Sequence, residues 1–439
     1  MSPNRSQVPG VLAAVTLALA LAAAGAARAQ VVAIEDDEED ERGPRGPSWD
    51  IDLELEVRGA DGLDEPDRPR RDATRTSVEL GVEARQRFGE GFGALVELEL
   101  RSRRTTLPDD VGSEADRDEF RVGLDRLYLQ HERGSVRTRL GRQSLDDAMG
   151  WVLDAELDGL RVTLERERWK LDASFTREHW FEVGEERRGD RVNNLLLRVP
   201  IDAAGRSEWV PYLLHRSERA FEGEPTAETT WFGLQGLIRL DRHVRYWLNA
   251  AARTGERERD SGTLELGGSA FDLGLTWTLD RSSEPAFTLG YARASGNGSN
   301  DDGADDGFRQ SGLHENDCRL NGHNRFRYLG IAIDPELANL EVLTLGTGIA
   351  AGSRWALDLV YHRYRQRVAE DRLRGSDFEL DPEGTDRAIG DAIDLVVGYA
   401  PRDPLELRLG VGAFEPGSAF ASGTDRAWSA RLEVEYDLY

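Results

Sequence analysis

Phe271-Asp272-Leu273-Gly274-Leu275-Thr276-Trp277-Thr278-Leu279 decides the fold. Apolar side chains stand at every second position, with Asp, Gly and Thr between them. A period of two is that of a β-strand with one apolar and one polar face. The same period recurs at Trp49–Val57, Val78–Ala84, Val244–Ala250, Leu405–Val411 and Trp428–Leu438. Soluble sandwiches alternate too, so strand length and the content of the faces must decide. Most runs extend about 9–12 residues, the length of a tilted membrane-spanning strand; soluble strands average roughly 5–6. Trp49, Tyr246, Trp277, Trp355, Tyr399 and Trp428 open or close the apolar faces, as an interfacial aromatic girdle does. The opposite faces carry charges of both signs, which suits a wet lumen. The expected fold class is all-β: a transmembrane antiparallel β-barrel.

Connections support this. Short turn signals (Gly89-Glu90-Gly91, Glu132-Arg133-Gly134-Ser135, Leu240-Asp241-Arg242-His243, Ala351-Gly352-Ser353, Pro401-Arg402-Asp403-Pro404) alternate with polar stretches at 103–118, 181–190, 255–267, 296–337, 367–388 and 416–426. Short periplasmic turns and long extracellular loops are the pattern of an outer-membrane barrel. Placing both ends on the periplasmic side requires an even strand count. Treating 296–337 as one long loop insert gives about 18 strands, a size that encloses an aqueous channel. A polar insert this long is usually functional.

The N-terminus reads as a secretory signal over 1–29, with Arg5, the apolar run Val11–Ala26 and Ala27-Arg28-Ala29 before Gln30. Residues 30–48, with the acidic run Glu35–Glu41, read as a disordered segment. The barrel occupies 49–439. With 31% charged residues and no second apolar run of about 20 residues, a helical membrane bundle is excluded. Cys318 is the single cysteine, so no intrachain disulfide forms. A net charge of −26 argues against nucleic acid as a partner. The seven His form no metal-like cluster and no Gly-x-Ser-x-Gly elbow occurs. Asp301–Gly307 lacks the bidentate Glu of a calcium loop. No enzyme activity, metal or cofactor is expected.

Leu140-Gly141-Arg142-Gln143 with Asp154 and Asp158-Gly159-Leu160-Arg161-Val162, Gly307–His314, Arg325–Gly330, Pro335–Leu340, Leu359–Gln366 (which holds Arg363) and Asp394–Val397 together resemble the alginate export family of outer-membrane channels. The resemblance implies an 18-stranded, monomeric barrel through which an anionic, alginate-like exopolysaccharide leaves the periplasm past an arginine-rich constriction. Its implied surroundings are outer-membrane lipid and lipopolysaccharide, with periplasmic polysaccharide-secretion proteins on the inner side.

The residues themselves agree. A polyuronate carries a carboxylate on every sugar, and the arginine fork pairs bidentately with carboxylate without ever deprotonating. Lys170 is the sole lysine among 56 basic residues, although a GC-rich genome produces the same bias. Strand parity sends Arg161, Arg198 and Arg408 into the lumen, because an Arg facing lipid near the midplane costs roughly 2–4 kcal/mol. Asp154 and Asp394, with Asp272 and Glu406, are the lumenal acids that offset them. Arg142 shares the parity of Leu140 and needs a bulge to turn inward. Arg325 and Arg327 reach a constriction only if the insert folds inward. The expected path is therefore Arg142, Arg161, Arg198, Arg325, Arg327, Arg363, Arg408, Asp154 and Asp394. The alternative is a general or small-anion porin.

Overall fold

The computed structural model describes residues 48–60, 73–88, 90–106, 117–178, 191–203, 207–219, 226–259, 261–298, 303–319, 322–376, 381–402, 405–424 and 426–438. The leader over 1–29, and all of the 30–48 segment but Ser48, lie outside the described residues. Every described wall strand pairs antiparallel with its wall neighbours, and Ser48–Ala60 closes the ring by pairing with both Ala73–Phe88 and Ala427–Leu438. Arg191–Arg198 and Ile201–Asp202 share one place in the wall, between Trp169–Arg177 and Ser207–Arg219. Gly262–Leu266 and Ser269–Thr278 share another, both against Val244–Arg259. Of the 23 strands, the two-residue Ala304–Asp305, Asp317–Cys318 and Phe326–Arg327 belong to the insert. Among the described residues the ring thus has eighteen places. No described residue is helical.

Ser48 and Leu438 lie at the same end of the ring, within one residue of direct register. The tight turns are at that end too, with Gly134 and Gly352 at φ 63° and 68°, the left-handed geometry that glycine adopts without a Cβ penalty. The long connections are all at the other end. In an outer-membrane barrel the turn end is periplasmic and the loop end extracellular.

Alternation becomes sidedness. Leu273, Leu275 and Trp277 are 43%, 40% and 49% exposed on the outer face, whereas Asp272 and Thr276 are 3% and 0% exposed within. Leu289, Leu345, Leu359 and Ile393 continue the outer apolar band. Near the turn end Trp277 meets Phe287 at 6.4 Å and Trp355 stacks on Tyr399 at 4.0 Å, as an interfacial girdle requires. Leu345 lies midway along Leu340–Ala351. Leu345→Arg is expected to cost about 2–4 kcal/mol of barrel stability in lipid, read from equilibrium unfolding in vesicles. Wild-type stability in that variant would mean the band does not face lipid.

Ala286–Ala294 and Leu340–Ala351 pair directly, so 295–339 leaves the wall as one excursion. It is not an outward polar loop: it descends into the barrel. Enough apolar side chains are spread among its Gly, Asn and Asp to build a core. Phe308, Leu313, Phe326, Tyr328, Leu329, Ala332, Ile333 and Leu337 are all buried. The wall beside them presents Val342, Val360, Tyr364, Ala392 and Val396 inward, also buried. Two apolar surfaces that would otherwise face water cover one another. Residues 147–153 join this core, with Trp151 stacked on Phe308 at 6.2 Å. The Asp147 carboxylate accepts from the amides of Met149, Trp151, Val152 and Leu153 at 2.8–3.1 Å.

Candidate substrate path

The insert enters at the loop end and reaches the turn end, where His323 Nε2 donates to the Glu284 carbonyl at 2.9 Å. Polar side chains on the lumenal face of the wall hold its backbone throughout. Asp358 accepts from the amides of His323 and Asn324 at 3.0 and 2.8 Å and from Asn324 Nδ2 at 2.7 Å. Asp394 accepts from the Ile331 amide at 3.0 Å. Tyr364 Oη, Trp231 Nε1, Arg245 and Arg253 donate to the carbonyls of Leu329, Arg309, Gly322 and Gly307 at 2.6–3.2 Å. A backbone with little regular structure needs such partners, since each orphaned buried polar group costs about 1–3 kcal/mol. Glycines in the wall make the close approach possible: a Cβ at Gly348 would overlap Asp358 Oδ1, and one at Gly412 would overlap the Ala332 amide.

Asp394 therefore lies under the insert rather than in an open path. It is fully buried, and His362 Nε2 stands 3.3 Å from it. Thr344 Oγ1 is 3.0 Å from His362 Nδ1. The Thr-His-Asp order is that of a nucleophilic relay. His362 and Asp394 are 0% exposed and Thr344 is buried, so no substrate reaches the group.

One flank of the insert stays open. A cleft lies between the insert residues Asp317, Arg325, Phe326, Arg327 and Ile331 and Arg408, Gly410, Ser429, Arg431 and Glu433 of the wall. Four guanidiniums converge there with two carboxylates. Their neighbours hold them in place. Arg325 stands 3.6 Å from Asp317 and 3.8 Å from Asp154. Arg327 pairs with Glu315 at 2.9 Å and with Asp334, Arg408 with Glu433, and Arg431 with Glu433 at 2.9 Å. His314, largely desolvated and near Arg327, is pushed down to about 4, so it adds no charge at neutral pH.

Of the expected path residues, the cleft gathers Arg325, Arg327 and Arg408, with Asp154 behind Arg325. Arg161 and Arg198 face inward at a second station. There both close on one buried carboxylate: Arg161 is bidentate to Asp172 at 2.8 and 2.9 Å, and Arg198 meets it at 2.6 Å. Arg142 keeps the register of the outward-facing Leu127 and stands 3.9 Å from Asp158. Arg363 does not belong to the path: its side chain is 64% exposed on the outer wall and paired with Asp391, with the parity of Leu357 and Leu359. On the N-terminal strands the inner face carries Glu79, Glu83, Glu97, Glu99, Arg101 and Arg126, paired along the wall.

Arg431, Glu433, Asp172 and Asp358 went unread in the sequence. A usable signal existed for Asp358. The inward face of Trp355–Gln366 mixes Asp358 and His362 with Val360 and Tyr364, and apolar residues on a lumenal face announce that something covers it.

The family model described as Alginate export matches residues 55–433. The chain is 28% identical over 236 residues to alginate production protein AlgE of Pseudomonas aeruginosa, a stretch that covers 46% of each. It is 30% identical over 180 residues to AlgE of Azotobacter vinelandii, covering 36% of each. The chain spans about half the length, or less, of the curated relatives it matches. Among solved structures, OccK7 (OpdD) of Pseudomonas aeruginosa superposes with a TM-score of 0.56 at 14% identity, over 89% of this chain and 98% of that one. OccAB3 of Acinetobacter baumannii does so with 0.56 at 13%, over 89% and 99%. These likenesses show a shared porin-like ring. With the family model matched across nearly the whole of that ring, the chain belongs to the alginate export family, as a barrel of the outer membrane.

Proposed function

We propose that the protein is a passive channel through which an alginate-like polyuronate leaves the periplasm, and that the polymer runs through the cleft between the insert and the wall. The observation that carries this reading is the convergence of Arg325, Arg327, Arg408 and Arg431 on one open cleft in a chain of net charge −26. Guanidiniums on both walls match a polymer with a carboxylate on each sugar. Asp317 and Glu433 keep the wells shallow enough for release, as conduction requires. Ile331 offers apolar surface between charges. Arg161 and Arg198 around Asp172 form a second cationic station, and the family's relatives named for alginate production supply the substrate class.

In planar bilayers the purified protein is expected to conduct with anion selectivity, and millimolar oligouronate is expected to reduce the current. Acetate at equal carboxylate concentration serves as the comparison. If acetate blocks as strongly as the oligomer, the channel is a small-anion porin and the polymer assignment fails.

A further inference from the structure

The outer face of the wall carries charge where parity allots apolar side chains. Leu289, Leu345, Tyr361 and Ile393 stand side by side in one row across four strands. One row nearer the loop end stand Tyr291, Leu343, Arg363 and Asp391, and beyond them Arg293, Glu341 and Arg365. Arg367 reaches back to this belt and donates to Glu341 at 2.8 Å. Arg363 donates to Asp391 at 2.9 Å, and Tyr291 to Glu341 at 3.3 Å. The Arg363 and Arg293 side chains are 64% and 41% exposed.

We propose that this belt binds the phosphorylated glucosamine headgroup of outer-leaflet lipopolysaccharide. Its place comes first: it crowns the apolar band at the extracellular edge, where headgroups of the outer leaflet lie. Its charge comes second. Arg293, Arg363, Arg365, Arg367 and Arg426 stand with Glu341, Asp386, Asp391 and Glu415, the last in register with Asp391, so guanidiniums outnumber carboxylates by one in a chain that is acidic overall. Asp386, beyond the sheet edge, is engaged by Ser418 Oγ and by the amides of Arg387 and Ala388. Its chemistry comes third. A guanidinium fork matches a phosphate oxygen pair, and Tyr291 and Tyr361 suit a boundary with one wet and one apolar side. A belt that only held the wall together would balance its charges. The proposal rests on the outer-membrane placement and not on the polyuronate reading.

The full chain in detergent, mixed with bisphosphorylated lipid A, tests this by native mass spectrometry. Wild type is expected to retain lipid A. The R293Q/R363Q/R365Q/R367Q variant should retain about tenfold less, and the matching lysine variant, which keeps charge but loses the fork, should fall between. On wild type alone, dephosphorylated lipid A should be retained about tenfold less than the bisphosphorylated form, a comparison that needs no variant to fold. Equal retention by the glutamine variant, or of the dephosphorylated lipid, overturns the proposal. Equal retention of phosphatidylglycerol also overturns it, since the belt would then sense only negative charge.

Discussion

Asp358→Ala is expected to raise single-channel conductance several-fold and to expose Arg325 and Arg327 to trypsin. Asp358 lies at the foot of the insert, where its carboxylate takes the amides of His323 and Asn324 and the Asn324 side chain. Bonds to a charged acceptor contribute about 1.5–3 kcal/mol each, and donors left buried without a partner cost about 1–3 kcal/mol each. Removing one side chain therefore leaves three donors of the insert without their acceptor. The ties that remain there are Arg245 to the Gly322 carbonyl and His323 to the Glu284 carbonyl. Asp358→Asn keeps an acceptor oxygen and should give a smaller change. Gly348→Ala gives an independent route, because the new methyl takes the space of the Asp358 carboxylate. Trypsin cleavage at the wild-type rate in both Asp358→Ala and Gly348→Ala would show that this carboxylate does not hold the insert.

The wall was legible because period-two alternation is a local property that solvent and lipid enforce strand by strand. Leu273, Leu275 and Trp277 face out and Asp272 and Thr276 face in, as the run Phe271–Leu279 requires. The lumenal arrangement was not legible, since parity says which side a residue faces and nothing about which partner it meets there. Arg161 and Arg198 do point inward, yet each is spoken for by Asp172, an acid on the strand that pairs between theirs. Arg363 stood in a stretch resembling the family, but its own parity with Leu357 and Leu359 already placed it outside. The insert was the hardest reading. Its Gly and Asp suggested solvent, whereas Phe308, Phe326, Tyr328 and Ile333 needed a lid, and the inward Val360, Tyr364 and Val396 of the wall supplied one. Those two incomplete cores lie far apart in sequence, and only the closed ring sets them face to face.

Replacing Arg325 and Arg431 together by Glu is expected to invert the selectivity of the channel from anions to cations. Along the cleft lining four guanidiniums stand with two carboxylates, while Asp154, Glu315, Asp334 and Glu406 pair with the same arginines from behind; the double substitution turns the lining into two against four. A permeating carboxylate about 5 Å from each site interacts by roughly 1 kcal/mol per charge in water-like surroundings and by about 3 at an effective dielectric of 20. Each reversal converts an attraction of that size into a repulsion, so the pair shifts anion occupancy by two orders of magnitude or more. Screening sets the conditions: the Debye length is about 3 Å at 1 M salt and about 30 Å at 0.01 M. The sign change in reversal potential should therefore be clear in dilute salt and shrink in concentrated salt. Replacing the same arginines by Gln should carry selectivity only toward neutrality. Arg242→Glu, the same swap at an exposed periplasmic turn where Arg242 pairs with Asp280, should leave the reversal potential near its wild-type value. Oligouronate block should weaken in step with selectivity, because one set of charges serves both. A double Glu variant that folds, conducts and keeps the wild-type reversal potential in dilute salt would remove the cleft from the ion path, and the polymer with it.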